Sequence, residues 1–207
     1  MTVYNDKLYF SAFDGATGFE LWSYDSTTDT HELVAAINPG SEHSFPQWMT
    51  VYNDKLYFSA DDRENGRELY SYDNTTGTHE LVADINTGSG SSSPSYLTVY
   101  NDKLYFLAND GKNGRKLWSY DSTTGPPKLV DDISSGSGPF FPQHLTVYND
   151  KLYFSADDGA AGSELWSYDS TTGTHELVAD INTGSGFSSP RYLTVYNDKL
   201  YFSADDG

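Results

Sequence analysis

The stretch Val3 to Phe10 recurs from Val51, Val99, Val147 and Val195, a period of 48 residues held without insertion or deletion along a 207-residue chain. A unit of this size is one supersecondary element and is too small to bury its own apolar faces. The copies must therefore stack and share a core. Four complete units cover residues 1–48, 49–96, 97–144 and 145–192, and residues 193–207 repeat the first 15 positions of a unit once more.

Within the unit that starts at Leu145, four apolar stretches alternate with turn chemistry. Leu145 to Tyr148 predicts a strand a. It is followed by Asn149-Asp150, a pair that tolerates positive φ and suits a two-residue hairpin. Lys151 to Ala156 alternates Leu152, Phe154 and Ala156 against Lys151, Tyr153 and Ser155 and predicts strand b, which ends at a Gly-rich loop. Glu164 to Asp169 predicts strand c, closed by an Asx turn at Asp169, and His175 to Ile181 predicts strand d. The period-2 alternation excludes a helical solenoid. Strands b and c carry apolar bulk on both faces, as a sheet sandwiched between two neighbours requires. The fold class is therefore all-β, a β-propeller of four-stranded antiparallel blades, with 193–207 as a surplus or closing a–b hairpin and the whole read as one propeller domain.

Charge and composition narrow the partners. With 30 Asp and Glu against 12 Lys and Arg, the net charge is −18, which repels nucleic acid and anionic membrane surfaces. The 17 Tyr, 11 Phe and 4 Trp supply enough apolar area to rule out a disordered chain. No Cys is present, so neither disulfides nor thiolate chemistry apply. No apolar run is long enough to span a membrane, and no signal peptide is encoded within these residues. No Gly-x-Ser-x-Gly elbow, phosphate loop or dinucleotide fingerprint occurs, and no nucleophile stands beside a base at a convincing spacing. The sequence thus predicts no enzyme, no cofactor and no metal.

Comparing the copies locates the variation. The a–b turn is Asn-Asp in all five, from Asn5-Asp6 to Asn197-Asp198, and the c–d turn changes little. The b–c loops (Phe13–Phe19, Asp61–Arg67, Asn109–Arg115, Asp157–Ser163) and d–a loops (His43–Phe45, Ser91–Ser93, Pro139–Phe141, Phe187–Ser189) diverge. Antiparallel strands place both kinds of loop at one end. Neutral surface drift and a diversified binding face both produce this pattern. On that end the units close with Trp48, Tyr96, His144 and Tyr192, flat side chains next to Asp, Asn, Gly and Ser, which is the composition of a sugar site. These four, with the acid pairs Asp61-Asp62 and Asp157-Asp158, are the candidate ligand-binding residues; the competing readings are blade packing and turn formation. The acid pairs lack the alternating calcium-loop pattern. His31, His79 and His175 recur at the start of strand d as edge decoration. The units carry net charges of −6, −5, 0 and −5, the neutral third having Lys116 where the others have Glu20, Glu68 and Glu164. Ordinary salt pairing is the reading for Lys116.

The run Glu164 to Asp169, followed by Thr174 to Asn182, Gly186 and Ser189-Pro190, and preceded by Lys151 to Gly159, resembles the bacterial ELWxxDGT repeats across all four units. Asp-Ser-Thr-Thr stands where that family has Asp-Gly-Thr, and Tyr70 and Lys116 replace its Trp and Glu. The resemblance implies a propeller-like array in a large secreted or surface protein of a bacterium. More distantly, the strands look like those of kelch blades and tachylectin-type lectins, an analogy of architecture alone. The functional expectation is a non-catalytic binding or scaffolding module, with a carbohydrate-binding lectin and a purely structural array as alternatives. The ligand would be a protein or a carbohydrate. Met1–Gly15 and Leu193–Gly207 compete for the same partner strands, so the surplus hairpin is expected to be displaced or to join a second chain in a homo-oligomer.

Overall fold

The computed structural model describes residues 1–131 and 142–207. The strands are β1 (Thr2–Tyr4), β2 (Lys7–Phe13), β3 (Phe19–Asp25) and β4 (Thr30–Ala35); β5 (Gln47–Tyr52), β6 (Lys55–Asp61), β7 (Arg67–Asp73) and β8 (Thr78–Ala83); β9 (Ser95–Tyr100), β10 (Lys103–Asn109), β11 (Arg115–Tyr120) and β12 (Lys128–Asp131); β13 (Gln143–Tyr148), β14 (Lys151–Asp157), β15 (Ser163–Asp169) and β16 (Thr174–Ala179); and β17 (Arg191–Tyr196) with β18 (Lys199–Ser203). Each set of four makes one meandering antiparallel sheet, and β17–β18 make a two-stranded sheet. Four-stranded antiparallel blades of this kind are the units of a β-propeller.

The repeat is reproduced at the level of register. Phe10 lies opposite Trp22, Phe58 opposite Tyr70, and Phe154 opposite Trp166. In every complete blade the pairing of strands c and d slips at the same place, between Leu21 and Trp22, Leu69 and Tyr70, Leu117 and Trp118, and Leu165 and Trp166. The Asn-Asp turns have positive φ at both residues, for example 44° at Asn149 and 55° at Asp150, the requirement of a type I′ hairpin. The Met1–Gly15 hairpin is the one that joins β3 and β4.

The chain divides into two compact units, Met1–Leu97 with Asn109–Gly111, and Thr98–Ala108 with Lys112–Gly207. In the first, Tyr4, Leu21 and Ile37 pack with Met49, Phe58 and Tyr70 in one core, so both faces of a blade are used. Leu56 to Ala60 of β6 is buried without interruption, as expected of a sheet covered on both sides. Within each unit, a tyrosine at the end of strand a stitches one blade to the next. The Tyr4 hydroxyl donates to the Asp54 carbonyl at 2.5 Å and accepts from the Asn74 N–H at 3.3 Å. In the second unit, Tyr100 repeats both bonds with Asp150 and Ser170, and Tyr148 donates to the Asp198 carbonyl at 2.9 Å. The a–b turn carbonyls of Asp54, Asp150 and Asp198 are thus acceptors of blade-to-blade bonds. Tyr105 lies beneath, and burial pushes its phenol up to about 12. Among the described residues no helix is long and apolar enough to cross a membrane.

Candidate functional site

The b–c and d–a loops meet at one end of each blade, held there by backbone bonds. The Ser44 carbonyl accepts from Asp61 N–H of the next blade at 2.9 Å, while Ser44 and Phe45 N–H donate to the Phe19 carbonyl. Ser92 bonds Asn109, and Ser188 bonds Asp205, in the same way. The glycine just before strand c makes this close approach possible. A Cβ at Gly18, Gly66 or Gly162 would lie 1.8, 2.3 or 1.8 Å from the carbonyl oxygen of Glu42, Gly90 or Gly186, and all three have positive φ.

Beneath the loops is a buried carboxylate that comparing the copies did not single out. Glu20, Glu68 and Glu164 are fully buried. Glu68 accepts from Ser92 Oγ, from Ser92 N–H at 2.8 Å and from Ile85 N–H at 3.0 Å; Glu164 does the same with Ser188 and Ile181. Glu20 holds Ser44 Oγ at 2.6 Å and Ile37 N–H at 2.9 Å. Burial raises the Glu20 and Glu68 carboxyls above the usual range, against the pull of these donors. The middle serine of the described d–a loops, Ser44, Ser92 and Ser188, is therefore an anchor. The available signal was a Glu–Ser pair 24 residues apart in units one, two and four. Lys116 is itself buried, 1% exposed, and in the third blade it occupies the position that these glutamates hold in the others. Its d–a loop, with Pro139 to Phe141, lies outside the described residues.

The four aromatics expected just before strand a are instead the second residue of that strand, in β5, β9, β13 and β17. Each has a left-handed backbone: φ is 56° at Trp48, 54° at Tyr96, 59° at His144 and 57° at Tyr192. The ladder slips there in β5, β13 and β17, between Gln47 and Thr50, Gln143 and Thr146, and Arg191 and Thr194. The extra residue of a bulge explains the slip, and bulges recur beside functional sites. A bulky residue at positive φ costs about 1–3 kcal/mol. Trp48 and Tyr96 are brought together, ring centroids 4.4 Å apart; His144 and Tyr192 lie 6.3 Å apart. Trp48 is 43% exposed and Tyr192 76%.

The acid pairs act within their own loops. Asp61 accepts from Arg63 N–H, and Asp157 from Gly159 N–H. Asp62 accepts from Glu64 and Asn65 N–H and from the Tyr70 hydroxyl at 2.6 Å; Asp158 accepts from Ala160 and Ala161 N–H. For Asp62, burial acts upward but these donors win and hold the carboxyl below its usual range. Among the described residues no three His, Asp or Glu side chains gather to hold a metal. His31 and His175 lie 6.0 Å from Trp22 and Trp166, ring to ring.

Solved structures share the fold. TolB from Acinetobacter baumannii is 18% identical over 96% of this chain and 48% of that one, with a TM-score of 0.58. Dipeptidyl peptidase 4 from Porphyromonas gingivalis is 9% identical over 84% of this chain and 27% of that one, TM-score 0.56. The extracellular domain of a hybrid two component system from B. thetaiotaomicron is 15% identical over 100% of this chain and 26% of that one, TM-score 0.58. The chain spans about half of TolB and about a quarter of the other two. At these identities the likeness is one of fold, and the peptidase's chemistry does not follow from it. No curated protein matches the chain. The family model described as outer membrane protein assembly factor BamB matches residues 5–207, and the chain belongs to that family.

Proposed function

We propose that this chain is a non-catalytic binding module of the bacterial cell envelope, with 1–48, 49–96, 97–144 and 145–192 as its blades, and that the b–c and d–a loops form its binding end for a protein partner. The observation that supports this most strongly is the left-handed backbone at Trp48, Tyr96, His144 and Tyr192. Four copies hold an aromatic in a costly conformation at the loop end, where the loop sequences also diverge, while the Asn-Asp turns at the opposite end are the same in every copy. A family named for assembly of outer membrane proteins fits a scaffold that holds another protein. The ELWxxDGT resemblance fits the same setting. The test is panning of a peptide-display library on the full chain. Binders should be lost on substitution at the loops and kept on substitution at the Asn-Asp turns; binders that map to those turns, or none at all, would overturn the proposal.

The paired rings Trp48–Tyr96 and His144–Tyr192 favour a second reading, a lectin that stacks sugar rings at each site. A glycan array with Trp fluorescence titration separates the two. No response to common sugars removes the lectin reading.

A further inference from the structure

The first unit differs from the three others at Phe13, Phe19 and His43, and from the second and fourth at Phe45, and the structure brings these positions together. Phe13, Phe19, His43 and Phe45 form one cluster. Ring centroids are 5.5 Å apart for Phe13–Phe19, 5.3 Å for Phe19–Phe45, 5.0 Å for His43–Phe45 and 5.6 Å for Phe19–His43. The imidazole is fixed by its Nδ1, which accepts the Phe19 N–H at 2.9 Å, so the remaining proton sits on Nε2. Phe13, Phe19 and Phe45 are 52%, 37% and 40% exposed. The repeat does not need the three phenylalanines, because the fourth unit has Asp157, Ser163 and Ser189 in their places and forms the same sheet.

From this cluster we infer a docking surface for a protein segment that presents an aromatic or long aliphatic side chain flanked by Lys or Arg. The inference rests on the protein-binding reading of the loop end and names the chemistry of its partner. Exposed contiguous apolar rings mark interaction sites, and aromatic clusters are the usual energetic centre of an interface. Phe13, Phe19 and Phe45 stack in a column, at 28° and 22° between successive planes. The inner ring faces of the column are spent on one another, which suits an apolar side chain inserted against the exposed ring edges better than a sugar ring laid on an open face. The adjoining loops bias the charge. Asp14, Glu42, Asp61, Asp62 and Glu64 outnumber Arg63 and Arg67. These loops touch, with Arg63 bonding Glu42 and Arg67 bonding the Phe45 carbonyl at 2.8 Å. Cations beside such rings gain from the carboxylates and from the ring quadrupoles.

The test uses the full chain and three synthetic peptides: a Trp-Leu pair between Lys triplets, the same pair between Glu triplets, and Lys triplets around Gly-Ser. Calorimetry is expected to show the first binding at least about tenfold tighter than the other two. The double variant F19S/F45S, which installs the residues of the fourth unit, should lose about tenfold in affinity with an unchanged melting temperature. Single F45S, expected to lose part of that affinity, serves if the double variant does not fold. Equal binding by the Gly-Ser peptide, or undiminished binding by folded F19S/F45S or F45S, overturns the inference. If library binders map to other loops, the binding end stands and this surface falls; if none map to the loop end, both fall.

Discussion

Removing the Glu68 carboxylate should cost the protein far more than removing a surface acid. In Glu68→Ala the Ser92 N–H loses its acceptor in a buried position. The Ser92 hydroxyl can turn to the Arg67 carbonyl, as Ser44 and Ser188 do with Phe19 and Ser163, and the Ile85 N–H is only partly buried. One buried donor fully stranded, at about 1–3 kcal/mol, and two partly buried ones weakened, the N–H groups of Ile85 and Asn86, give a loss of about 2–4 kcal/mol. Relief from burying a charge offsets part of this, and the lost methylene packing adds to it. Glu68→Gln keeps one carbonyl oxygen for the Ser92 N–H and should lose about 1 kcal/mol. Urea unfolding of the full chain, followed by Trp fluorescence with Trp48 close to the affected loop, measures both. Alanine within about 0.5 kcal/mol of the parent, or glutamine as harmful as alanine, would refute the idea that this carboxylate organises the d–a loop.

The same carboxyl sets a pH dependence. Burial raises Glu68 above its ordinary value of 4.5, so between that value and its raised one the folded chain holds a proton that the unfolded chain has released. Stability relative to Glu68→Gln should therefore fall as pH rises through that window, and paired unfolding curves at pH near 4.5 and at neutrality give the sign. Gly66→Ala places a Cβ 2.3 Å from the Gly90 carbonyl oxygen and should cost about 2–4 kcal/mol. Gly77→Ala, with nothing within 4 Å, should cost about 1 kcal/mol from its positive φ alone; thermal melts distinguish them. Tyr192→Gly relieves a left-handed backbone on a residue 76% exposed and should leave stability unchanged or raise it by up to about 1 kcal/mol. A clear loss would make Tyr192 a packing residue. Lys55→Ala breaks an exposed pair with Glu80 and should shift stability by less than about 1 kcal/mol.

The strands, their antiparallel order and the tight turns were legible because period, alternation and the Asn-Asp pairs are local and repeated five times. Blade sandwiching was legible from Leu152 and Phe154 on one face and Tyr153 on the other. The glutamate anchor was not, since a Glu at the head of strand c reads as a solvated charge until its distant Ser and Ile donors are seen. Nor was the bulge beneath Trp48 and its counterparts, because an aromatic carries no signature of positive φ. The ring cluster of the first unit was visible only as scattered departures from the repeat at Phe13, Phe19 and His43. The meeting of Phe19 with Phe45, far apart along the chain, depends on the fold.

Hydrogen exchange of the full chain, with and without a panned peptide ligand, tests the binding end most directly. Added protection is expected in the loop segments 13–19, 42–48, 61–67 and 91–96 or their copies in the later units, with the turns at Asn53-Asp54, Asn101-Asp102 and Asn149-Asp150 unchanged. Protection at those turns, with the loops unaffected, would contradict it.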